Sequence, residues 1–245
     1  MASHEIISPG RLFWKLGKSA WTALGGHWRA AIGTSCIAFG IQMAVRMVPL
    51  FGKIAGLLLC PLAAGMMLFW LRLLRGEQTE LSVIFEPFDR YWTFLWANLL
   101  VMIFIFLWTL PAIVPGVIIF LCADLRPGIF FFLWIPLLIV PGVIAACRYA
   151  MTIYILLDHP ESSAGEAMEE SCEIMYGYKL RLFGYSLLFV LMIVVAAVFT
   201  LGIGLIWLVP WLGVFMAAFY ESVRRREAPA ALSEPSETEE MPASE

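Results

Sequence analysis

Apolar residues run along this chain in stretches far longer than a soluble helix needs. A helix crosses the roughly 30 Å hydrocarbon core of a bilayer with about 20 apolar residues. Six stretches come close to or exceed this length, and we predict that they span the membrane: residues 30–51, 54–74, 93–122, 129–157, 180–200 and 203–220. Because the third and fourth are longer than one crossing requires, we expect them to be tilted, kinked or partly outside the core. The pattern predicts an all-α fold, a polytopic transmembrane helical bundle with about six spans.

Composition agrees with a membrane environment and argues against nucleic acid, a metal or a cofactor as a partner. Hydrophobic residues make up 61% of the chain and charged residues only 14%, whereas about 25% of a soluble domain is charged. The formal net charge of -3 argues against nucleic acid as a partner. The five cysteines and three histidines are dispersed without metal-ligand spacing, so we expect no metal and no cofactor.

The positions of the positive charges indicate which ends of the spans face the cytoplasm. With both termini inside, thirteen of the sixteen lysines and arginines lie at or beyond cytoplasmic span ends, and Arg46, Lys53 and Arg126 are the exceptions. We therefore predict a multi-pass protein of a bacterial cytoplasmic (inner) membrane with a cytoplasmic N-terminus and a cytoplasmic C-terminus.

Polar segments flank the spans and divide the chain into parts. These are a cytoplasmic N-terminus at 1–29, a transmembrane domain at 30–223 and a cytoplasmic tail at 224–245. In the first part, Arg11, Lys15 and Lys18 recur at helical spacing, which predicts an amphipathic helix at the lipid headgroups. The tail begins with a basic cluster and is rich in glutamate, proline and serine from Glu227 onward, so we expect it to be disordered.

A cytoplasmic helix is predicted at 160–178, between the fourth and fifth spans. Ser163 and Glu166 have the spacing of a capping box, in which each side chain accepts a hydrogen bond from the other's backbone amide. An apolar stripe is predicted at Ala164, Met168, Cys172 and Met175. Acidic residues fall mainly on the opposite face, at Glu166, Glu169, Glu170 and Glu173. They form either a solvated face or a docking surface for a basic cytosolic partner.

One sequence passage occurs twice. The letters FLW at 106–108 precede IVPGVI at 113–118, and both recur 26 positions later, at 132–134 and 139–144. Pro115 and Pro141 each remove a backbone donor within an apolar span, and Gly116 and Gly142 follow them. These four residues are candidate helix breaks. They indicate either kinked or shortened helices or a broken-helix binding site of the kind found in transporters.

Close packing and unpaired charge are predicted within other spans. Small residues at a spacing of four, which let helices approach closely, predict a tight hairpin of the first two spans: Ala30, Thr34 and Ala38 in the first, and Gly56, Cys60 and Ala64 in the second. Arg148 lies ten residues before Asp158, about 15 Å along a continuous helix, and no span offers it a carboxylate. It either snorkels or bonds freed carbonyls, or it binds the phosphate of an anionic ligand. Arg148, Arg46 and Gln42 are our candidate anion- or lipid-binding residues.

A family resemblance rests on three runs of sequence. They are PGVIAACRYAMTIYILLDHPESSAGEAMEESCEIMYGY at 141–178, TLGIGLIWLVPWLGVFMAAFYESV at 200–223 and LGGHWRAAI at 24–32. Together they resemble an uncharacterised family of bacterial integral membrane proteins known mainly as a domain of unknown function. More distantly, they are similar to the membrane domain attached to some glycerophosphodiester phosphodiesterases. The resemblance implies the membrane fold and no catalytic residue, and the second FLW passage departs from the family pattern as a local duplication would.

Three functions follow as hypotheses. The favoured one is a non-enzymatic scaffold or accessory subunit of a membrane complex, with membrane lipids, anionic ones included, and a membrane or cytosolic protein as partners. The alternative is a binder or transporter of an anionic lipid or small solute. An intramembrane enzyme is disfavoured because Ser35 and Ser186 have no histidine or acid at an activating spacing. Among the acidic residues only Asp124 lies away from the cytoplasmic side, which argues against a proton relay.

The distribution of positive charge leads to a topological prediction. Reporters fused after Arg75, after Lys179 and at Glu245 should report a cytoplasmic location, and one near Asp124 an external location. Reporter activity in intact cells measures this directly. An external C-terminus would contradict the six-span arrangement.

Overall fold

The computed structural model describes residues 9–48, 58–122 and 127–231. Within these ranges there are no strands, and the elements are nine α-helices and one 3₁₀ helix. In chain order they are α1 Pro9–Leu24, α2 Trp28–Met47, α3 Cys60–Arg75, the 3₁₀ helix Leu81–Arg90, α4 Tyr91–Cys122, α5 Pro127–Arg148, α6 Thr152–Asp158, α7 Ala164–Ile174, α8 Lys179–Phe199 and α9 Leu205–Ala231. The all-α prediction is confirmed.

Five helical stretches are long and apolar enough to cross a membrane, which makes this a multi-pass membrane protein. They are Trp28–Met47, Leu81–Pro111, Ile139–Asp158, Lys179–Phe199 and Leu205–Arg225. The predicted second span is described only in part: α3 has 16 residues, and residues 54–57 of that prediction lie outside the described ranges.

Helices α3 and α9 form the centre of the bundle. Helix α3 contacts α1, α2, α4, α6, α9 and the 3₁₀ helix, and α9 contacts α1, α2, α3, α7 and α8. Phe69, Leu71 and Phe215 on these two helices are fully buried. The indole of Trp70 lies against Gly213, where any side chain would overlap it. Since α3 is apolar on all sides, burial inside the bundle is the arrangement its sequence favours.

The amphipathic helix α1 packs against protein along one face. Leu12, Leu16, Ala20 and Leu24, spaced four apart, are all buried, and α1 contacts both α9 and α3. The three cations that predicted this helix lie on its exposed side. Its apolar side therefore has a protein neighbour, and its predicted position at the headgroups stays a prediction.

The duplicated passage forms the contact between α4 and α5. A Cβ at Gly116, in the first copy, would overlap the indole of Trp134, in the second. In the reverse sense, a Cβ at Gly142 in the second copy would lie 3.2 Å from Cγ2 of Thr109, beside the first. The two copies thus pack reciprocally, with the glycine of the first against the tryptophan of the second FLW and the glycine of the second against the threonine that follows the first FLW. This explains physically why the duplication can be accommodated in an antiparallel pair.

The proline-glycine passages do not end their helices. Helix α4 continues through Pro111 and Pro115 to Cys122, and α5 continues through Pro141 to Arg148. Neither helix therefore ends at Pro115, Gly116, Pro141 or Gly142, because a proline removes only its own amide donor and the turns around it stay bonded. The alternative of kinked helices stays a prediction. The interruption in the predicted fourth span instead lies at residues 149–151, between α5 and α6.

Other predictions are corrected or fall outside the described residues. Helix α9 continues to Ala231, so the residues just after Glu227 are helical where we predicted the start of a disordered tail. In the predicted tight hairpin, Ala38, Cys60 and Ala64 are buried, and α2 contacts α3 as well as α9. Gly56, Asp124, Arg126 and residues 232–245 lie outside the described ranges.

The closest backbone approach suggests a stability test. A Cβ at Gly65 of α3 would overlap the carbonyl oxygen of Ile84 in the 3₁₀ helix. We expect Gly65→Ala to push the two segments apart and to cost about 1 to 3 kcal/mol of unfolding free energy, measured by equilibrium unfolding in mixed micelles. Gly40→Ala is the control, because nothing lies within 4 Å of a Cβ there. Equal stability of the two variants would contradict the close packing.

Candidate functional site

A cluster of charges joins three helix ends that are far apart in sequence. Nη1 of Arg75 lies 2.8 Å from Oδ1 of Asp158, and the Tyr220 hydroxyl donates a hydrogen bond of 2.9 Å to Oδ2. Arg224 also pairs with this carboxylate. Nε of Arg75 donates to Glu221 at 2.8 Å. We call these five residues the Asp158 cluster.

Local structure explains how each side chain reaches the cluster. Helix α3 ends at Gly76, whose left-handed conformation (φ 76°) stops the helix immediately after Arg75. Asp158 is the last residue of α6. Tyr220, Glu221 and Arg224 occupy about one turn of α9 and therefore share one side of that helix.

Asp158 is deeply buried, with 6% of its side chain exposed, while the Arg75 side chain is 31% exposed. Burying a carboxylate is costly unless opposite charge and hydrogen bonds replace its water. Two guanidinium groups and a hydroxyl do so here. The hydrogen bond to Asp158, above all, raises the pKa of Arg75. The aromatic ring of Tyr220 also stacks on Tyr154 of α6, with centroids 5.1 Å apart.

Further polar contacts lie next to the Asp158 cluster. Arg72 makes two parallel 2.6 Å hydrogen bonds to the carboxylate of Glu86 in the 3₁₀ helix, and Arg90 donates to the carbonyl of Pro160. Nη2 of Arg224 lies 2.9 Å from Nε2 of His159. Together, these contacts attach the ends of α3, the 3₁₀ helix, α6 and α9 to one another.

One polar residue on the inner side of helix α7, Ser171, attaches it to the backbone between α5 and α6. The Ser171 hydroxyl donates to the carbonyl of Arg148 at 3.0 Å and accepts from the Met151 amide at 3.2 Å. It thereby bonds backbone groups on both sides of the interruption between α5 and α6. The buried stripe of α7 is Ala164, Ala167, Ser171 and Ile174, which differs from the predicted one because Met168 and Cys172 are only half-buried.

The predicted capping box is confirmed. The Ser163 amide donates to the Glu166 carboxylate at 2.8 Å, and the Glu166 amide donates to the Ser163 hydroxyl at 3.3 Å. The first of these bonds is the main reason that the pKa of Glu166 is lowered. Glu166, Glu169 and Glu173 are exposed and Glu170 is half-buried, so the four residues predicted for the acidic face do share the outer side of α7.

The candidate anion-binding residues have different surroundings. Nε of Arg148 donates to Sγ of Cys172 at 3.0 Å, and its guanidinium carbon lies 5.9 Å from the ring centre of Trp108. Because the helix is interrupted just after Arg148, the 15 Å estimate along a continuous helix does not apply. Arg46 is exposed and Gln42 half-buried on α2, and no described contact joins either of them to Arg148.

The remaining candidates for chemistry are the two serines within the spans and the metal-ligating side chains. The Ser35 and Ser186 hydroxyls each donate to a carbonyl one turn earlier in their own helix, at 2.8 and 2.9 Å. Within residues 9–48, 58–122 and 127–231, no three metal-ligating side chains come together.

Sequence reasoning missed the Asp158 cluster. Its members are 62 to 146 positions apart in the pairs that bond, a separation at which spacing patterns carry no signal. Its residues nevertheless include members of two of the quoted runs, since LLDHP lies within one and FYESV ends another. The structure brings these two segments together.

Comparison with known proteins identifies one family. The model of the family described as "Protein of unknown function (DUF975)" matches residues 22–227. No curated protein matches the chain. No solved structure matches it.

The buried carboxylate yields a stability prediction. Asp158→Asn removes the charge that both Arg75 and Arg224 face, and we expect a loss of about 2 to 3 kcal/mol of unfolding free energy. Glu161→Gln is the control, because that side chain is 76% exposed. Unfolding in mixed micelles measures both. An Asp158→Asn variant as stable as the control would show that the cluster adds nothing to stability.

Proposed function

We propose a scaffold function for this chain, which belongs to the family described as "Protein of unknown function (DUF975)". In this proposal the protein is a non-enzymatic accessory subunit of a membrane complex. The helical bundle anchors it, and the acidic outer side of α7 docks a basic segment of a protein partner.

The pairing of the carboxylates is the observation that carries this proposal. Around the Asp158 cluster, carboxylates are matched by arginines: Asp158 and Glu221 with Arg75, and Glu86 with Arg72. On α7, by contrast, Glu169 and Glu173 form no ion pair with any residue in the described ranges, and both are exposed. Unmatched charge on a well-anchored helix is suited to steering and orienting an oppositely charged partner.

The attachment of α7 supports a docking role. Ser171 holds the inner side of the helix to the backbone at Arg148 and Met151, and the capping box fixes its first turn. A surface that is already ordered loses less conformational entropy on binding than a mobile one. The glutamates therefore present a fixed spacing of charge to a partner.

We also propose a bacterial inner membrane as the location, with both termini in the cytoplasm. The excess of lysine and arginine at one set of span ends supports this orientation. The contacts of Arg75, Asp158 and Arg224 support it as well, because the ends of α3, α6 and α9 must then lie on the same side of the membrane. The acidic side of α7 would face cytosolic proteins.

The more distant resemblance, to the membrane domain attached to some glycerophosphodiester phosphodiesterases, is consistent with an accessory role. In such proteins the catalytic part is a separate soluble domain. A membrane domain of this type would then act by holding another protein at the bilayer, which is the role proposed for the acidic side of α7.

Anionic lipid binding is a second candidate function, and Arg148 favours it. Its guanidinium contacts Cys172 and Trp108, and it pairs with no carboxylate within the described part of the chain. A phosphate could therefore pair with its positive charge.

Charge reversal tests the docking proposal. The double change Glu169→Lys/Glu173→Lys should release a protein that co-purifies with the wild type after mild detergent extraction, because like charges then face each other. The matched control reverses Glu80 and Glu161, two exposed glutamates away from the outer side of α7. Quantitative mass spectrometry of the purified complexes compares the three forms. Retention of the same proteins by the α7 variant would contradict docking on α7.

A further inference from the structure

A large apolar groove lies between α1 and the α8–α9 hairpin. Its volume is about 1150 Å³, beyond the roughly 300 to 1,000 Å³ typical of small-molecule sites. Leu188, Ala196 and their neighbours on α8 form one wall, and the beginning of α9 continues it. Helix α1 and the first residue of α2 form the other wall. Five tryptophans line the groove: Trp14, Trp21, Trp28, Trp207 and Trp211.

The α8–α9 wall is formed by two candidate membrane spans. Both Lys179–Phe199 and Leu205–Arg225 are long and apolar enough to cross a membrane. The groove is continuous with their exposed apolar side chains, such as Leu191 and Trp207. Because water in such a groove would find almost no polar group to bond, its occupant must be apolar over most of its length.

Positive charge lies beside this apolar space. Lys18 lines the groove, and Arg11 and Lys15 lie on the same exposed side of α1. None of the three forms an ion pair with a carboxylate in the described parts of the chain. Tryptophans beside lysines are typical of the boundary where acyl chains meet headgroups.

We propose that this groove binds an anionic phospholipid of the surrounding bilayer. Its acyl chains occupy the tryptophan-lined space along α8 and α9, and its phosphate pairs with Lys18. The lipid would fill the space that α1 leaves against the hairpin and so tie the amphipathic helix to the spans. This site is separate from both Arg148 and the acidic side of α7, and the proposal depends on neither.

Lipid retention tests the proposal. The full chain is reconstituted in vesicles of equimolar phosphatidylglycerol and phosphatidylcholine with identical acyl chains, extracted gently and examined by native mass spectrometry. The wild type should retain phosphatidylglycerol preferentially. Lys18→Gln should lower the ratio of phosphatidylglycerol to phosphatidylcholine about fivefold, the effect of one lysine at an anionic surface.

Two pairs of variants separate the groove from other sites. Ala196→Phe fills the groove and should reduce retention of both lipids, while Val198→Phe places the same aromatic side chain at a position outside the groove and should not. Lys179→Gln removes the same charge as Lys18→Gln at a position outside the groove and should leave the ratio unchanged. The thermal stability of each variant is measured alongside its lipid retention. If Ala196→Phe fails to fold, Lys18→Gln decides the test, because Lys18 is exposed.

Three results would overturn the proposal. One is an unchanged lipid ratio in Lys18→Gln. Another is loss of the preference in Arg148→Gln but not in Lys18→Gln, which would place the anion at Arg148. The third is a lipid-free dimer of wild-type chains that Ala196→Phe dissociates, which would make a second copy of the chain the occupant.

Discussion

The buried carboxylate of Asp158 is the interaction on which the arrangement of helix ends depends. Only 6% of this side chain is exposed, so its charge requires partners inside the protein. Arg75 from α3, Tyr220 and Arg224 from α9 supply them. Three helices that are distant in sequence are thus held by one charged group. Removing one partner leaves the buried carboxylate with less compensation for its lost water, which makes the contact sensitive to single changes.

The position of α7 follows from the Asp158 cluster and the contacts next to it. Helix α6, which carries Asp158, is followed directly by α7, and the Ser163 capping box begins α7. Ser171 then bonds α7 to the backbone carbonyl of Arg148, at the end of α5. The acidic outer side of α7 is therefore positioned by contacts that involve neither Glu169 nor Glu173. Charge reversal there can change binding without disturbing the fold, which is what a docking surface requires.

Local signals in the sequence predicted local structure well. The helical class followed from the length of the apolar runs, and Ser163 and Glu166 were recognised because a capping box depends on residues three apart. The acidic face of α7 was predicted from the same periodicity. The continuity of the helices through the proline-glycine passages could not be predicted, because the sequence shows the lost donor at Pro115 and Pro141 but not the tertiary contact that makes glycine useful beside it. Trp134 against Gly116 is such a contact.

Long-range features could not be predicted. Arg75, Asp158 and Arg224 each appeared as an ordinary charge at a span end, and nothing in the spacing showed that they meet. The interruption at residues 149–151 was hidden because the sequence remains apolar through it, so the position of Arg148 along a continuous helix was wrong. The tryptophan-lined groove joins α1, α8 and α9, and its residues lie in three separate parts of the chain. Contacts between residues this far apart in the sequence form only in the folded bundle.

A double-mutant cycle between Arg75 and Asp158 tests the central claim most directly. Unfolding free energies of the wild type, Arg75→Gln, Asp158→Asn and the double variant give the coupling between the two side chains, free of their separate effects. Our account predicts a favourable coupling of about 1 kcal/mol or more, as for other contacting pairs in one charged network. A coupling of zero would contradict it, since the two residues would then contribute to stability independently of each other.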